Sequence, residues 1–387
     1  SSLATCTAHV LNMKLRRGEK IKTEPVEQQA NATKYANDSV KEKDSCKRYN
    51  NMCTSTCLAK LVGLFLFILY VFIPVLIKTN PWIFVKIVFL NHVTWPPFVN
   101  FSQPNHFGLN ATRNFYLHPD EDSKLGIWHV LPTTLSVSPP LIESHYEDLL
   151  SKNKAIMIYF HGNSGSRAGR HRVHLYKVLA NLEFHVLAVD YRGYGDSSPL
   201  GYPTEDGVVN DARFVYNYVR QRSGNSPVFI WGHSLGTGIT TRVAKELCSE
   251  GDPPAGVILE SPFNNIKEAA LGHWMAWPFK YYPWLEWALI DSISANNIYF
   301  TSDQSIRYVT VPLLIMHAED DWVIPIELGT KLYEAALSSR TDKTGPVKFV
   351  TFNSTRGYGH KHIHMAPELP AILREFVQHC LQRSSKE

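Results

Sequence analysis

Residues 228–236, with the sequence Val-Phe-Ile-Trp-Gly-His-Ser-Leu-Gly, decide the fold of this 387-residue chain. The apolar run Val228–Trp231 predicts a buried strand, and residues 235–249 predict a helix that follows it directly. Between them lies Gly-x-Ser-x-Gly, with Ser234 at its centre. On a strand–turn–helix unit this pattern predicts a strained turn that exposes the serine, while the glycines leave room for neighbouring backbone. Ser234 is therefore a candidate nucleophile; a structural serine in a glycine turn is the alternative.

Similar apolar runs recur along the chain and predict the rest of a sheet. Because each run is almost continuously apolar, both of its faces should be buried, as in a parallel sheet. Helix-like stretches separate the runs, so the sequence predicts an α/β fold with a doubly wound, mostly parallel sheet. The predicted strands are residues 155–160, 184–189, 228–231, 256–259, 311–316 and 347–352, and the predicted helices are residues 171–182, 204–222, 235–249 and 367–381.

A serine hydroxyl needs a base, and the base needs an acid that orients it. In folds of this kind both groups follow the serine along the chain. The loop after residues 311–316 offers two adjacent carboxylates, and we favour Asp321 over Asp320, which would be a solvated or capping neighbour. Glu260, at the end of the 256–259 strand, is a more distant third choice.

The loop after the last predicted strand contains three histidines at alternate positions. His360 is the preferred base because glycines precede it, and His362 and His364 are alternatives. The same alternation could bind a metal, but no carboxylate or thiolate lies close in sequence, so we predict no metal site. In chain order the predicted relay is Ser234, Asp321 and His360.

Backbone amides should stabilise the negative charge that develops on the substrate oxygen. One is the amide of Leu235, directly after the serine. The other is expected in the loop after residues 155–160, where we favour the amide of Asn163 and read His161 as a buttress of that loop. The glycine turn at residues 190–197 should contain structural ion-pair partners in Asp190 and Arg192.

The N-terminal part differs in composition from the rest. Residues 1–57 are rich in Lys, Glu, Asn, Ser and Thr and lack apolar periodicity, which predicts a disordered basic arm. Residues 61–77 carry no charge, and as a helix they would be about 26 Å long, near the thickness of a bilayer core. We predict a membrane-spanning signal anchor over residues 58–78, with a buried core helix as the alternative.

The remaining chain should form a linker and one main domain. Residues 79–123 are expected to be an interfacial or linker segment, whose apolar start at 81–90 suits either the membrane interface or packing on the main domain. The main domain is expected over residues 124–387. Five Lys or Arg precede the span in residues 41–60 and two follow it in residues 78–97, which predicts a cytosolic N-terminus. Asn110, in Asn-Ala-Thr, is then a candidate glycosylation site across the membrane.

Charge and cysteine content exclude several function classes. The net charge is +4, but residues 1–60 alone contribute 11 Lys or Arg and 6 Asp or Glu, so the rest nets to −1. A near-neutral body predicts no nucleic-acid binding. Of six cysteines, only Cys248 and Cys380 lie in the main domain, and the sequence leaves open whether they pair. This distribution excludes a disulfide scaffold and a cysteine zinc site.

Six motifs occur in the order and spacing of the α/β-hydrolase superfamily: HGNSG, DYRGYGDS, GHSLGTG, LESPF, HAEDD and GYGHKH. With the N-terminal span, residues from about 60 to 385 are most similar to its membrane-anchored lysophosphatidylserine and monoacylglycerol lipases. The resemblance implies a cofactor-free serine hydrolase of the endoplasmic reticulum membrane, with a lumenal site that cleaves the acyl ester of single-chain lipids. It carries over the serine of GHSLG, the second aspartate of HAEDD and the histidine of GYGHK, which coincide with the residues chosen above.

An aromatic insertion bears on the substrate. Residues 263–300 lie between two predicted strands and should form a cap, with Trp274 and Trp277 as candidate contacts to an acyl chain. Ordinary packing of the cap helices is the alternative. Arg167 and Arg170 would attract a lipid phosphate unless their loop is merely solvated.

The expected partners are a monoacyl lipid and the bilayer, with no obligate protein partner. Because the catalytic pattern fixes acyl transfer and not the acyl group, an acyl-protein thioesterase or a peptidase on the same fold is an alternative function. A hydrolase fold without catalysis, used only for binding, is a further alternative.

Overall fold

A computed structural model describes residues 25–136, 143–198 and 203–384. Its centre is an eight-stranded sheet with the strand order β1-β2-β4-β3-β5-β6-β7-β8. Strand β2 runs antiparallel to both neighbours, and all other pairs are parallel. The strands are Thr112–Leu117 (β1), Leu125–Val130 (β2), Ile156–Phe160 (β3), His185–Asp190 (β4), Val228–His233 (β5), Gly256–Glu260 (β6), Leu313–Ala318 (β7) and Val347–Phe352 (β8).

Helices cover both faces of this sheet, which confirms the predicted α/β-hydrolase architecture. The α-helices are Pro25–Phe67 (α1), Ile73–Thr79 (α2), Trp82–Phe89 (α3), Glu143–Leu150 (α4), Arg170–Asn181 (α5), Glu205–Arg222 (α6), Leu235–Glu250 (α7), Ile266–Gly272 (α8), Pro283–Asn296 (α9), Ser302–Ser305 (α10), Ile326–Leu337 (α11) and Leu369–Ser384 (α12).

The pleat of a central strand explains its unbroken apolar sequence. In β3, Ile156 and Ile158 belong to the core on one face, while Met157 and Tyr159 belong to the core on the other. Successive side chains of a strand point to opposite faces, so a strand covered on both sides must be apolar at every position.

The chain divides into two compact units, residues 1–71 and 72–387. Helix α1, the π-helical segment Ile68–Phe72 and α2 follow one another, and within them Ala36–Thr79 is the one described helix long and apolar enough to cross a membrane. Residues 25–57, predicted to be disordered, are helical instead; their Lys, Glu, Gln and Ala favour helices. Residues 1–24 of the predicted arm lie outside the described residues.

The segment 79–123 is more than a linker. Helix α3 buries Phe84, Val85, Val88 and Phe89 in the core of the sheet domain, which is the packed alternative considered for this stretch. Strand β1 also lies within the segment and pairs with β2. The sheet therefore begins before residue 124.

The insertion between β6 and β7 includes residues 263–300, the stretch predicted to form a cap. It contains α8, the 3₁₀ helix Trp274–Phe279 and α9. Within the second unit, α9 packs against α2 and α3. The loops that follow β3, β5, β7 and β8 meet at the carboxyl edge of the sheet, where ligands bind in folds of this kind.

Candidate active site

Ser234 lies in a sharp turn between β5 and α7. Its φ of 52° and ψ of −119° are a strained backbone conformation for a residue with a side chain. A Cβ on Gly236 would lie 2.1 Å from the carbonyl oxygen of Phe160, and one on Gly232 would lie 2.4 Å from that of Gly236. Both glycines are therefore required by close backbone approach. The turn leaves Ser234 at the N-terminus of α7, where the helix dipole favours negative charge.

The three residues of the predicted relay lie together, although β5, β7 and β8 carry them separately. His360 Nε2 is 2.9 Å from Ser234 Oγ, and His360 Nδ1 is 2.7 Å from Asp321 Oδ2. A carboxylate only accepts, so Nδ1 donates to Asp321, and Nε2 is left to accept the serine proton. All three side chains are buried. The arrangement can generate a serine nucleophile and return its proton to a leaving group.

The carboxylate of Asp321 is held on both oxygens. Oδ1 accepts hydrogen bonds from the amides of Val323 and Ile324, each at 2.9 Å, while His317 Nε2 lies 3.4 Å from Oδ2. Burial alone would raise the pKa of Asp321, but the charge of His360 and hydrogen bonds from His317 and His360 hold it well below its usual range. Asp321 therefore stays ionised and can stabilise a protonated His360.

The two alternative acids have other contacts. Both carboxylate oxygens of Asp320 accept from the amide of Gly359 at 3.0 Å, so Asp320 holds the turn that precedes His360. Glu260 is buried and accepts a 3.0 Å hydrogen bond from the indole of Trp231. Burial and the negative charge of Asp321 outweigh that bond and raise the pKa of Glu260 to about 7.

The alternative histidines do not contact Ser234. His362 is exposed, and the ring of His364 lies 3.1 Å from the carbonyl oxygen of Lys361. Within the described ranges, no group of three or more His, Cys, Asp or Glu side chains is arranged to hold a metal ion.

His233 is a site residue that the sequence reasoning left without a role. Its Nε2 lies 2.8 Å from the carbonyl oxygen of His360, and a carbonyl only accepts, so Nε2 carries the proton and donates it. Burial, followed by the charge of His360, lowers the pKa of His233 well below its usual range and keeps the ring neutral. It ties the loop after β8 to the turn after β5. The signal was the variable position of Gly-x-Ser-x-Gly, where a histidine stands.

The loop after β3 lies against the serine. A Cβ on Gly162 would be 3.2 Å from Ser234 Cβ. Within the described residues, the amides of Leu235 and Asn163 donate to no other group of the chain. The hydroxyl of Tyr194 contacts the carbonyl oxygen of Phe89 and lies 3.1 Å from the carbonyl oxygen of Asn163, so Tyr194 packs against that peptide. Two free amides thus lie beside the nucleophile.

The ring of His161 belongs to the same loop and is held by packing and by an ionic contact. It is fully buried, packs 4.7 Å from the ring of Tyr191, and its Nε2 lies 3.2 Å from Asp190. Burial and then the charge of Arg172 lower the pKa of His161, although its contact with Asp190 opposes them. His161 does not contact Ser234.

The expectation that Arg167 attracts a phosphate is wrong. Its guanidinium is fully buried and pairs with Asp190 at 2.6 Å and with Asp196 at 2.8 Å. Arg192 pairs instead with Asp211. The predicted ion-pair residues of the 190–197 turn therefore have partners elsewhere in the chain. Arg170 is exposed.

Other predicted residues lie at the rim or the surface. Trp274 packs 5.8 Å from the ring of Trp322, the residue after Asp321, whereas Trp277 is 65% exposed. The glycosylation candidate Asn110 is exposed. Cys248 and Cys380 are not joined in a disulfide.

Known proteins are similar in sequence to this chain over most of its length. The family model described as Hydrolase_4: Serine aminopeptidase, S33, matches residues 151–304. Lysophosphatidylserine lipase ABHD12 of Macaca fascicularis is 46% identical over 310 residues, which cover 80% of this chain and 77% of that protein. Lysophosphatidylserine lipase ABHD12 of Xenopus tropicalis is 43% identical over 344 residues, 89% of each chain.

A solved structure shares the fold. An alpha-beta hydrolase from Vibrio vulnificus aligns with a TM-score of 0.53 at 17% identity, over 79% of this chain and 92% of that one. At this identity the likeness concerns the fold alone.

Proposed function

The chain belongs to the α/β-hydrolase family of the ABHD12 lysophosphatidylserine lipases, and we propose that it is a membrane-anchored serine hydrolase of single-chain lipids. Its substrates would be lysophosphatidylserine, other lysophospholipids and monoacylglycerols. The observation that carries the chemistry is the unbroken contact from Ser234 Oγ through His360 to Asp321.

Acylation would begin at Ser234. His360 Nε2 takes the hydroxyl proton as Oγ attacks the ester carbonyl, and Asp321 stabilises the resulting imidazolium. The oxyanion accepts hydrogen bonds from the amides of Leu235 and Asn163, which are free beside the serine. His360 then returns the proton to the glycerol oxygen, which leaves as an alcohol. Water, activated by the same histidine, releases the fatty acid from Ser234.

Contacts between the cap and the end of the span support a lipid substrate. Lys78, at the end of α2, forms an ion pair with Asp291 of α9 and lies 3.9 Å from the ring centroid of Trp287. Asn296 of α9 donates to the carbonyl oxygen of Pro81 at 2.9 Å. These contacts hold the cap beside the chain that leaves the bilayer. A monoacyl lipid resides mostly in the bilayer, since each buried CH₂ contributes about 0.8 kcal/mol.

We further propose the endoplasmic reticulum membrane as the location, with a cytosolic N-terminus and a lumenal site. The flanking charge asymmetry supports this orientation. Protease added to sealed microsomes should spare the catalytic domain, and endoglycosidase should shift the mobility of the wild type more than that of Asn110→Gln. Digestion of the catalytic domain in sealed vesicles would reverse the proposed topology.

The substrate proposal is tested with a panel in neutral detergent micelles. The full chain is assayed with lysophosphatidylserine, a monoacylglycerol of the same acyl chain, an acyl thioester and short peptide amides, with Ser234→Ala as the blank. We expect hydrolysis of the two lipids. The family match described as a serine aminopeptidase makes a peptidase the second candidate. Cleavage of the peptide amides without cleavage of either lipid would favour it.

A further inference from the structure

A group of basic side chains beside His360 has no acidic partner. In the described parts of the chain, none of them forms an ion pair with a carboxylate, whereas the arginine predicted to meet a phosphate, Arg167, has two. The group, which we call the basic patch, consists of Arg170, His171, Arg172 and His174 at the start of α5 and of Lys361, His362 and His364 in the loop after His360.

Packing of α5 against that loop assembles the patch. The rings of His174 and His364 are 5.6 Å apart, and those of His362 and His364 are 5.8 Å apart. The patch also reaches the catalytic histidine. The ring of His171 is 5.9 Å from that of His233, which lies 5.0 Å from the ring of His360. The basic patch is therefore continuous with the active site.

Arg172 supplies a permanent charge at the base of the patch. Its guanidinium is only 3% exposed, and it donates to the carbonyl oxygens of Ser164 and Ser166, each at 2.6 Å. These partners satisfy hydrogen bonds without neutralising the charge. The position of Arg172 is thus fixed while its positive potential stays uncompensated.

The neighbouring groups are affected by that potential. Burial, and then the charge of Arg172, lowers the pKa of Lys361 and the pKa of His171. Part of the Lys361 side chain nevertheless reaches solvent, and it forms no ion pair with a described carboxylate. Like charges held together destabilise one another, and an anion bound among them would reverse that effect.

The direction of the leaving group points to the same place. His360 Nε2 must protonate the departing alcohol, so the leaving group lies on the His360 side of the scissile bond. In a lysophospholipid, only a glycerol unit separates the ester oxygen from the phosphate. Lys361 directly follows His360 along the chain. A phosphate on the leaving group would therefore fall within reach of the basic patch.

We propose that the basic patch binds the phosphodiester of a lysophospholipid substrate, with Lys361 as the main contact and Arg172 supplying further positive potential. The proposal rests on the proposed lipase function and adds to it the residues that select a phosphate-bearing head group. A monoacylglycerol, which has no phosphate, makes no use of the patch.

The test compares two lipids with the same acyl chain, lysophosphatidylserine and monoacylglycerol, in neutral detergent micelles with the full chain. Lys361→Ala should raise KM for lysophosphatidylserine by about ten-fold, the loss of one charge-assisted hydrogen bond, and leave kcat unchanged. Monoacylglycerol hydrolysis should stay at the wild-type level, which also shows that the variant is folded. Lys361→Arg should restore most of the affinity for lysophosphatidylserine.

Lys152→Ala is the matched control, since this exposed lysine precedes β3 at the opposite edge of the sheet and should change neither activity. Glycerol 3-phosphate should inhibit the wild type competitively and inhibit Lys361→Ala more weakly. An equal loss on both lipids, or no loss on either, would overturn the proposal. A loss on monoacylglycerol confined to vesicles containing phosphatidylserine would overturn it too, in favour of docking to an anionic surface. A wild type that cleaves neither lipid would instead refute the proposed function.

Discussion

The catalytic residues Ser234, Asp321 and His360, which we call the floor of the site, differ in surface character from the cap formed by residues 263–300. In the floor, Ser234, Asp321 and His360 are polar, at most 7% exposed, and held by short hydrogen bonds. In the cap, large apolar side chains face solvent, among them Tyr281 at 89% and Trp277 at 65% exposure. The difference suggests a division of labour, in which the floor fixes the reaction and the cap receives a lipid.

Both the buried polar groups of the floor and the exposed aromatic groups of the cap are unfavourable in free energy, and the function of each region accounts for them. Burying polar groups requires that each find a partner, and in the floor the partners also set the proton positions. Exposing a contiguous aromatic surface is unfavourable in water but favourable at a membrane interface. Variants in the floor should therefore affect every substrate, and variants in the cap only those presented in a lipid phase.

The largest expected effect is a difference in kcat between variants of two neighbouring aspartates, Asp321 and Asp320. Asp321→Asn should lower kcat by about 10³- to 10⁴-fold, because it removes the charge that stabilises protonated His360. Asp320→Asn should lower kcat by less than about ten-fold, since an amide oxygen can still accept from Gly359. Steady-state kinetics on a water-soluble short-chain ester measure both. An inactive Asp320→Asn variant together with an active Asp321→Asn variant would show that Asp320, and not Asp321, is the catalytic acid.

The next effect tests whether the strained turn needs its glycines. Gly236→Ala would place a methyl group 2.1 Å from the carbonyl oxygen of Phe160 and should destabilise the domain by about 3 kcal/mol or more. Gly272→Ala, whose methyl group meets only ordinary contacts at 3.6 Å, is the control. Thermal unfolding followed by circular dichroism measures both. Equal stability of the two variants would contradict the packing described for the turn.

A smaller effect distinguishes cap from floor. Replacing Trp277 and Met275, both exposed on the cap, by serine should raise KM for a micellar lipid by about ten-fold through loss of apolar contact. Hydrolysis of a soluble short-chain ester should not change. Tyr308→Ser, at an exposed aromatic residue outside the cap, serves as the control. An equal loss on soluble ester and lipid would remove the distinction between the two regions.

The smallest effect concerns pH and Glu260, which lies behind the floor. Burial raises the pKa of this carboxyl from 4.5 to about 7 in the folded protein. Between these pH values the unfolded chain loses the proton and the folded chain keeps it, so stability falls as pH rises. Glu260→Gln can still accept from Trp231 and should remove this slope. Chemical denaturation at pH 4.5, 6 and 8 should show the free energy of unfolding of the variant rising relative to that of the wild type as pH rises. A difference in free energy of unfolding that does not change with pH would contradict this expectation.

The sequence pattern was sufficient to predict those strands whose structure depends mainly on their own residues. All six predicted strands occur within two residues of their expected ends, because each is a continuous apolar run. Strands β1 and β2 were both missed. Strand β1, with Arg113 and Asn114 in its first half, lacks that pattern, and its pairing with β2 stabilises it. The helix over residues 25–57 was missed because its composition suggested disorder, although its residue types favour helices.

Contacts between distant positions account for what the sequence left out of the site. The relay residues follow a known order along the chain, so they could be chosen from the sequence. The hydrogen bond from His233 to the backbone of His360 joins positions 127 residues apart. The Gly-x-Ser-x-Gly pattern marks the position of His233 but does not identify the backbone group that it contacts. The pairing of Arg167 with Asp190 likewise depends on how two loops meet.

The role of Ser234 as the nucleophile is tested most directly by labelling with a fluorophosphonate probe, read together with hydrolysis of lysophosphatidylserine. We expect the wild type to be labelled and active. Ser234→Ala should be unlabelled, unfold at the same temperature as the wild type and lose at least about 10³-fold in kcat, because only binding and oxyanion stabilisation remain. Labelling of a folded Ser234→Ala, or near wild-type hydrolysis by it, would contradict the account.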